Sequence, residues 1–282
     1  MNNTGLKPVG KPVDVSVVKA EPLSAFLHEV FALEPSGLIE RGAVYLNKHR
    51  VTAETWLNAR DCVRIHESPR RFDVSFDWGP RIIADEKDFI VVNKPAGLPV
   101  HPTCDNEKEN VLRALESFLQ TTLWICHRLD IGTEGLLVLG KNISFRRYFA
   151  AALEERKVEK RYRALAMAPV LPGRYEHYQP LSATAPFSVY ENRLHESDRF
   201  CALTVLNCEK AGDAYELLID LHTGRHHQIR AQLSRLGAPL VGDVRYGAPA
   251  LLPVQGDGEV LRLQSAEIRF GSYSFKLPAP WA

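Results

Sequence analysis

The sequence lacks long apolar runs, paired cysteines, a glycine-rich phosphate loop and any sizeable net charge. Apolar stretches such as Leu136 to Leu139 fall far short of the ~18 residues that a bilayer-spanning helix needs, so integral membrane placement is not expected. A Val-rich patch within the first twenty residues is broken by Asp14, and no small-residue cleavage pattern follows it, which speaks against a secretory signal. The cysteines at 62, 104, 126, 201 and 208 are odd in number and form no CxxC pair. That pattern fits buried thiols in a reducing compartment, and a cytoplasmic protein is expected. Without a P-loop, a dinucleotide turn, a GxSxG elbow or a recognisable Cys-His signature, phosphoryl and hydride transfer lose ground.

What is present is ordinary folded-protein composition: 282 residues, 45% hydrophobic and 24% charged, which excludes disorder, collagen-like repeats and coiled coil. One large domain plus a smaller one is expected at this length. The net charge is only +1, but its distribution is uneven. Residues 1–80 balance 10 Lys/Arg against 10 Asp/Glu, whereas residues 141–163 hold 8 Lys/Arg against 3 Glu. Residues 222–247 add four Arg against Asp243 alone. Two basic stretches thus lie where phosphates could be met, or where a helix face is merely solvated.

Apolar spacing predicts a helix over 23–33 and a strand over 42–47, making a small α/β unit to about residue 68 with a linker at Pro69-Arg70-Arg71. Beyond it, strands are predicted over 81–84, 89–92, 123–126, 135–139, 160–167, 200–206 and 215–221, and helices over 107–119, 144–153 and 226–236. Strands in runs, without strict alternation with helices, favour an α+β fold with a mixed, mostly antiparallel sheet and flanking helices. The expected domains are 1–75 and 76–282.

The segment from His127 to Asn142 sets Arg128, Asp130, Gly132, Thr133 and Gly135 in a connection between two apolar strands, where a rigid sheet can mount reactive groups. Asp130 could act as nucleophile or base, or simply cap a turn. The segment Leu221 to Leu233 brings a Thr-Gly turn and Arg225 ahead of a helix, a seat for a carboxylate or phosphate. One Arg could partner Asp130. Arg230 is as suited to a carboxylate within the fold as to RNA. His222 and His226 are four apart, but the Thr-Gly turn prevents one helix face, and no metal is expected. The Asn93 to Pro102 loop, with its prolines and glycine, would hold Lys94 and His101 in place. Tyr162, in an alternating strand, would pack in a core or hold a flipped base.

Taken together, four ordered segments resemble the RluA-type family of pseudouridine synthases: NKPAGLPVHP, HRLDIGTEGLLVLGKN, the Lys-x-Tyr of Lys160 to Tyr162, and LHTGRHHQIRAQLSRLGAPLVGDVRYG. The likeness spans residues 81–276. It implies that Asp130 is the catalytic aspartate, ion-paired with Arg225, that Tyr162 stacks on the uracil, and that Arg128 fills the place of the flipped uridine. Ile229 falls where an aliphatic side chain meets the base, and His127, Thr133, Arg230, Lys94 and Lys160 complete the expected RNA- and base-binding set. The implied substrate is ribosomal or transfer RNA, modified without cofactor or metal; separately from the resemblance, a monomer is expected. Whether the aspartate attacks the sugar, attacks the base or removes a sugar proton is left open.

Family members usually carry Thr-Ser-Gly where this chain has Thr133-Glu134-Gly135. Glu134 is expected to face solvent; turned inward it would raise the pKa of Asp130 or repel phosphate. Residues 23–67 also resemble a divergent alpha-L RNA-binding domain like that of ribosomal protein S-four, on the pattern Leu38 to Lys48 and Ala59 to Ile65. Two alternatives accompany this reading: an RNA-binding protein on the same fold without catalysis, and an aspartate-dependent hydrolase, disfavoured for want of a second positioned carboxylate.

Overall fold

Alternation decides the central strands. In Phe89–Lys94 and Glu134–Gly140, Phe89, Val91, Leu136 and Val138 point to one side and Ile90, Val92, Leu137 and Leu139 to the other, and all eight are buried. Strands apolar on both faces must be covered on both faces. On one side lie Phe145 and Phe149 of the helix Ile143–Glu154, with Ile268 and Phe270; on the other lie Val111 and Leu115 of the helix Val111–Leu119 and, further along the sheet, Ile229 and Leu233 of the helix Gln228–Arg235. Asn110 and Asn142 start the first two of these helices, each side chain accepting a hydrogen bond from the backbone N–H three residues on, at Arg113 and Phe145.

The computed structural model describes residues 10–181, 185–249 and 259–281. Residues 1–9, part of the expected N-terminal domain, lie outside the described residues, as do 182–184 and 250–258 within the span of the family likeness. The large sheet runs in the order Gly173–Gln179, Arg199–Ala211, Ala214–Leu221, Glu159–Ala166, Leu263–Phe270, Glu134–Gly140, Phe89–Lys94 and Ile82–Asp85, with Tyr273–Lys276 and Trp124–Ile125 paired alongside. Every pairing is antiparallel except a short parallel joint between Glu134–Gly140 and Leu263–Phe270, at Glu134 with Gln264 and Gly135 with Ser265. Gly135 sits there at φ +108°, and a Cβ on it would come within 2.4 Å of the Ser265 carbonyl oxygen. Only glycine lets the two halves of the sheet meet this closely.

The strands Gly173–Gln179, Leu263–Phe270 and Tyr273–Lys276 carry no strong isolated signal in the sequence. Their order is supplied by the neighbours they pair with. The predicted helix over 107–119 starts at Val111, because residues 103–110 form a hydrogen-bonded loop instead.

The N-terminal part has its own apolar cluster, including Leu23, Phe26, Leu27, Val44, Leu57, Val63 and Ile65. A four-stranded sheet supports it in the order Val13–Ser16, Cys62–Ile65, Val44–Leu46, His49–Val51, with the helices Leu23–Phe31 and Pro35–Glu40. The segment expected as a linker is pinned: Arg70 is buried and makes a bidentate pair with Asp105 at 2.9 and 2.7 Å. Arg50 and Tyr45 also donate to the carbonyls of Thr103 and Cys104, at 2.5 and 2.8 Å.

Candidate active site

Asp130 sits in the loop that enters Glu134–Gly140, at the joint between the sheet halves, and faces a cavity of about 990 Å³. The loop is shaped from beneath. Lys94 is fully buried, and its ammonium donates to the carbonyls of Pro95 (2.8 Å), Ile131 (3.1 Å) and Thr133 (2.8 Å). Burial pulls its pKa down to about 7, against the charges of Asp130 and Glu134. Lys94 is therefore a brace under the loop, which corrects the expectation that it binds RNA: no part of it reaches solvent. The Thr133 backbone N–H donates to the Asp130 carbonyl at 3.1 Å, and Thr133 lines the cavity with a buried hydroxyl that has no partner among the described residues.

The partner of Asp130 is Arg230, not Arg225. The Arg230 guanidinium lies 3.6 Å from the Asp130 carboxylate, whereas the Arg225 Nε donates to the Phe200 carbonyl at 3.2 Å. The reason is local. Gln228 accepts hydrogen bonds from the Thr223 hydroxyl (2.8 Å) and the Arg225 N–H (3.0 Å), closing the turn so that Arg225 projects to the rim. Arg230, on the inner face of the helix Gln228–Arg235, is fully buried. Asp243 takes its Nε and Nη2, Glu259 takes Nη1 and Nη2, and Nη1 also donates to His227 Nε2 at 3.3 Å. Burial opposes the guanidinium charge, but Asp243, Glu259 and Asp130 outweigh it and raise its pKa. All five N–H groups are thus engaged before Asp130 is considered. Asp130 feels the charge of Arg230, yet its side chain accepts no hydrogen bond among the described residues.

Around this acid stand the other predicted residues. Tyr162 and Ile229, both buried, form apolar walls. Burial and the Asp130 charge raise the Tyr162 phenol, so it stays neutral and offers a ring face. Lys160 lines the same wall, its ammonium lowered by burial. His127 also lines the cavity, but its Nε2 accepts from the Val138 N–H at 3.0 Å and its ring stacks on Phe149; burial and Lys160 hold it neutral, down to about 3. Arg128 is exposed at the mouth, its guanidinium 3.1 Å from His101 Nε2. Because His101 Nδ1 lies 2.8 Å from the Pro102 carbonyl and must donate there, Nε2 is the acceptor.

Glu134 departs from expectation: it is partly buried, raised by burial and lowered in turn by Arg262, Lys94 and Arg81, and it does not line the cavity. It faces neither open solvent nor the cavity. His222 bonds to Thr204 (2.8 Å), away from the spacing that suggested a metal. Another grouping exists that spacing did not suggest: nitrogen or oxygen atoms of Asp130, His226 and His227 lie within 4.8 Å of one another. Sequence reasoning missed Asp243, Glu259, His227 and Tyr246 as parts of the site. Asp243 and Tyr246 lie inside the quoted C-terminal signature; Glu259 had no signal.

Residues 88–235 match the family described as RNA pseudouridylate synthase. A rice (Oryza sativa subsp. japonica) protein named RNA pseudouridine synthase 6, chloroplastic, is 33% identical over 256 residues, covering 78% of this chain and 53% of that protein. A Yersinia pestis protein named ribosomal large subunit pseudouridine synthase D is 31% identical over 180 residues, covering 60% of this chain and 55% of that protein. The chain thus spans about half the length of these curated relatives. Among solved structures, human RNA pseudouridylate synthase domain containing 1 shares the fold, with a TM-score of 0.59 at 24% identity, over 75% of this chain and 87% of that one. No helix among the described residues is long and apolar enough to cross a membrane.

Proposed function

The chain belongs to the RNA pseudouridylate synthase family, and we propose that it isomerises particular uridines of ribosomal or transfer RNA to pseudouridine, acting as a cytoplasmic monomer without metal or cofactor. The observation that carries this reading is Asp130: an acid facing a cavity with ample room for a flipped nucleotide, 3.6 Å from a guanidinium and free to use its lone pairs. The reaction breaks the bond between uracil N1 and the ribose C1′ and joins C1′ to ring carbon 5. The hydrogen on that carbon leaves to solvent as a proton, and N1 ends protonated. Asp130 supplies the carboxylate at the sugar or ring. Tyr162 and Ile229 hold the detached ring in a dry space while it turns, Lys160 lies against the same wall, and Arg128 at the mouth fills the place the base leaves. Arg225 and Arg245 on the rim meet phosphates.

The N-terminal part, residues 1–75 in this reading, is a divergent alpha-L-type domain, and residues 76–282 form the catalytic domain. The hydrogen bonds from Arg50, Tyr45 and Arg70 to residues 103–105 support a role in bracing the loop that carries His101. A hydrolase is disfavoured because the other carboxylates, Asp243 and Glu259, are tied to Arg230. The test is release of tritium from uridine labelled at ring carbon 5 in cellular RNA. Wild type should release it, and Asp130→Asn should bind RNA without release. Binding without release by the wild type would instead favour the non-catalytic RNA-binding protein.

A further inference from the structure

Arg128 is the residue that must enter a stack of bases, yet it stands exposed at the cavity mouth on a long side chain. A free arginine gives up much rotamer freedom when it takes one fixed position. That cost falls on the step that extracts the base, unless the side chain is set beforehand. One contact sets it. Nη1 donates to His101 Nε2 at 3.1 Å, and no other N–H of Arg128 is bonded among the described residues.

Both partners are presented by anchored chain. Val100 and Leu129, the residues beside them, are buried in the same apolar cluster, while His101 and Arg128 line the cavity. The carbonyls of Pro99 and Val100 accept from the N–H groups of Val111 and Leu112, at 2.9 and 3.1 Å, so the start of the helix Val111–Leu119 grips the segment that leads to His101. Beyond His101, the Thr103 N–H donates to the Asn106 carbonyl at 2.9 Å, and Arg50 of the N-terminal part donates to the Thr103 carbonyl. Held at several points, the loop keeps its ring in place when any one of them is lost.

The ring has one tautomer. A carbonyl only accepts, so Nδ1, 2.8 Å from the Pro102 oxygen, carries the proton; a guanidinium only donates, so Nε2 offers its lone pair. Two independent contacts thus demand the same neutral imidazole. A lysine or arginine at this position would repel Arg128, and an apolar residue would leave it loose. The contact engages one N–H at one edge of the guanidinium, and its flat faces and other N–H groups stay open to bases and phosphates.

We propose that His101 is a positioning residue: it holds Arg128 at the cavity mouth in the pose from which the guanidinium replaces the extracted uridine. The proposal rests on the isomerase reading and on the part Arg128 plays in it, and it adds a residue that acts through Arg128 rather than on the base.

The test is a double-mutant cycle on the full chain between His101→Leu and Arg128→Ala. The probe is total RNA from cells lacking the gene, labelled with tritium at uridine ring carbon 5, and both single-turnover release and RNA affinity by filter binding are measured. His101→Leu should slow release about tenfold. His101→Gln, whose amide oxygen accepts from Arg128, should recover most of that loss, and the double variant should be no slower than Arg128→Ala alone. Thermal melts should be unchanged across the set, which separates positioning from misfolding. In addition, ¹⁵N spectra of histidine-labelled protein without RNA should show the Nδ1–H tautomer at His101, assigned by its absence in His101→Gln, with the Nε2 signal shifted by Arg128→Ala. Losses that multiply in the double variant, a His101→Gln protein as slow as His101→Leu, or a proton on Nε2 would overturn the proposal. No release by the wild type would overturn the isomerase reading instead, while the tautomer and the same cycle read in RNA affinity still decide whether His101 serves Arg128.

Discussion

Two buried guanidinium–carboxylate centres divide the labour of this molecule. At the junction between the N-terminal part and the large sheet, Arg70 and Asp105 form a closed pair. Both Asp105 oxygens accept from the guanidinium, and the Arg70 N–H and Thr103 hydroxyl add further bonds. Burial alone would raise the Asp105 carboxyl, but these bonds outweigh it and hold it well below the usual carboxylate range. At the cavity floor, Arg230 is saturated by Asp243, Glu259 and His227, and Asp130 remains 3.6 Å away with no hydrogen bond of its own among the described residues. A carboxylate whose lone pairs are all used holds structure together. One that stands beside a guanidinium without a hydrogen bond to it, its lone pairs open, is available for chemistry.

Breaking the second centre at its free acid gives the largest effect. Asp130→Asn should lower tritium release by at least about a thousandfold while changing folding stability by no more than about 1 kcal/mol, read by comparing single-turnover rates with thermal melts. Arg230→Met leaves Asp243 and Glu259 buried without their cation, and should cost about 3–5 kcal/mol of stability by denaturant titration. Arg225→Ala, by contrast, should leave the melt unchanged and weaken RNA binding with a shallower salt dependence. If Arg225→Ala proved the more damaging to stability, the assignment of partners would be reversed.

Breaking the first centre should unfold without disarming. Asp105→Asn should destabilise by about 3 kcal/mol, with activity per folded molecule retained. Its pH dependence has a definite sign. A carboxyl lowered in the folded state contributes fully above its unfolded value of about 3.8, and loses that contribution as pH falls through the lower folded value. The wild-type melt should therefore fall in acid more steeply than that of Asp105→Asn. The smallest effect is expected at Glu134, outside the cavity: Glu134→Gln should change stability by less than about 0.5 kcal/mol and activity by about twofold. A large gain in activity would show that Glu134 restrains Asp130 after all.

The strands with period-two or doubly apolar patterns, such as Phe89–Lys94 and Glu134–Gly140, and the helix Ile143–Glu154 with its Asn142 cap, could be read from local residues because a few neighbours in sequence decide them. Gly173–Gln179 and Tyr273–Lys276 could not, since their extended form rests on partners distant in the chain. The same division runs through the site. Asp130, Tyr162 and Arg128 stood out in contiguous motifs. Glu259 had no local mark, because its role comes from Arg230, 29 residues away.

By itself the sequence determined the α+β class, the loop that bears Asp130 and the basic stretches beside it, since motif and periodicity are properties of adjacent residues. Only the tertiary structure decided which arginine serves Asp130, that Lys94 is a brace beneath the loop, and that two histidines converge on the acid. Those choices turn on which face of the helix Gln228–Arg235 points inward and on how the turn from Thr223 to Gln228 closes, and both are fixed by packing against strands brought together from across the chain.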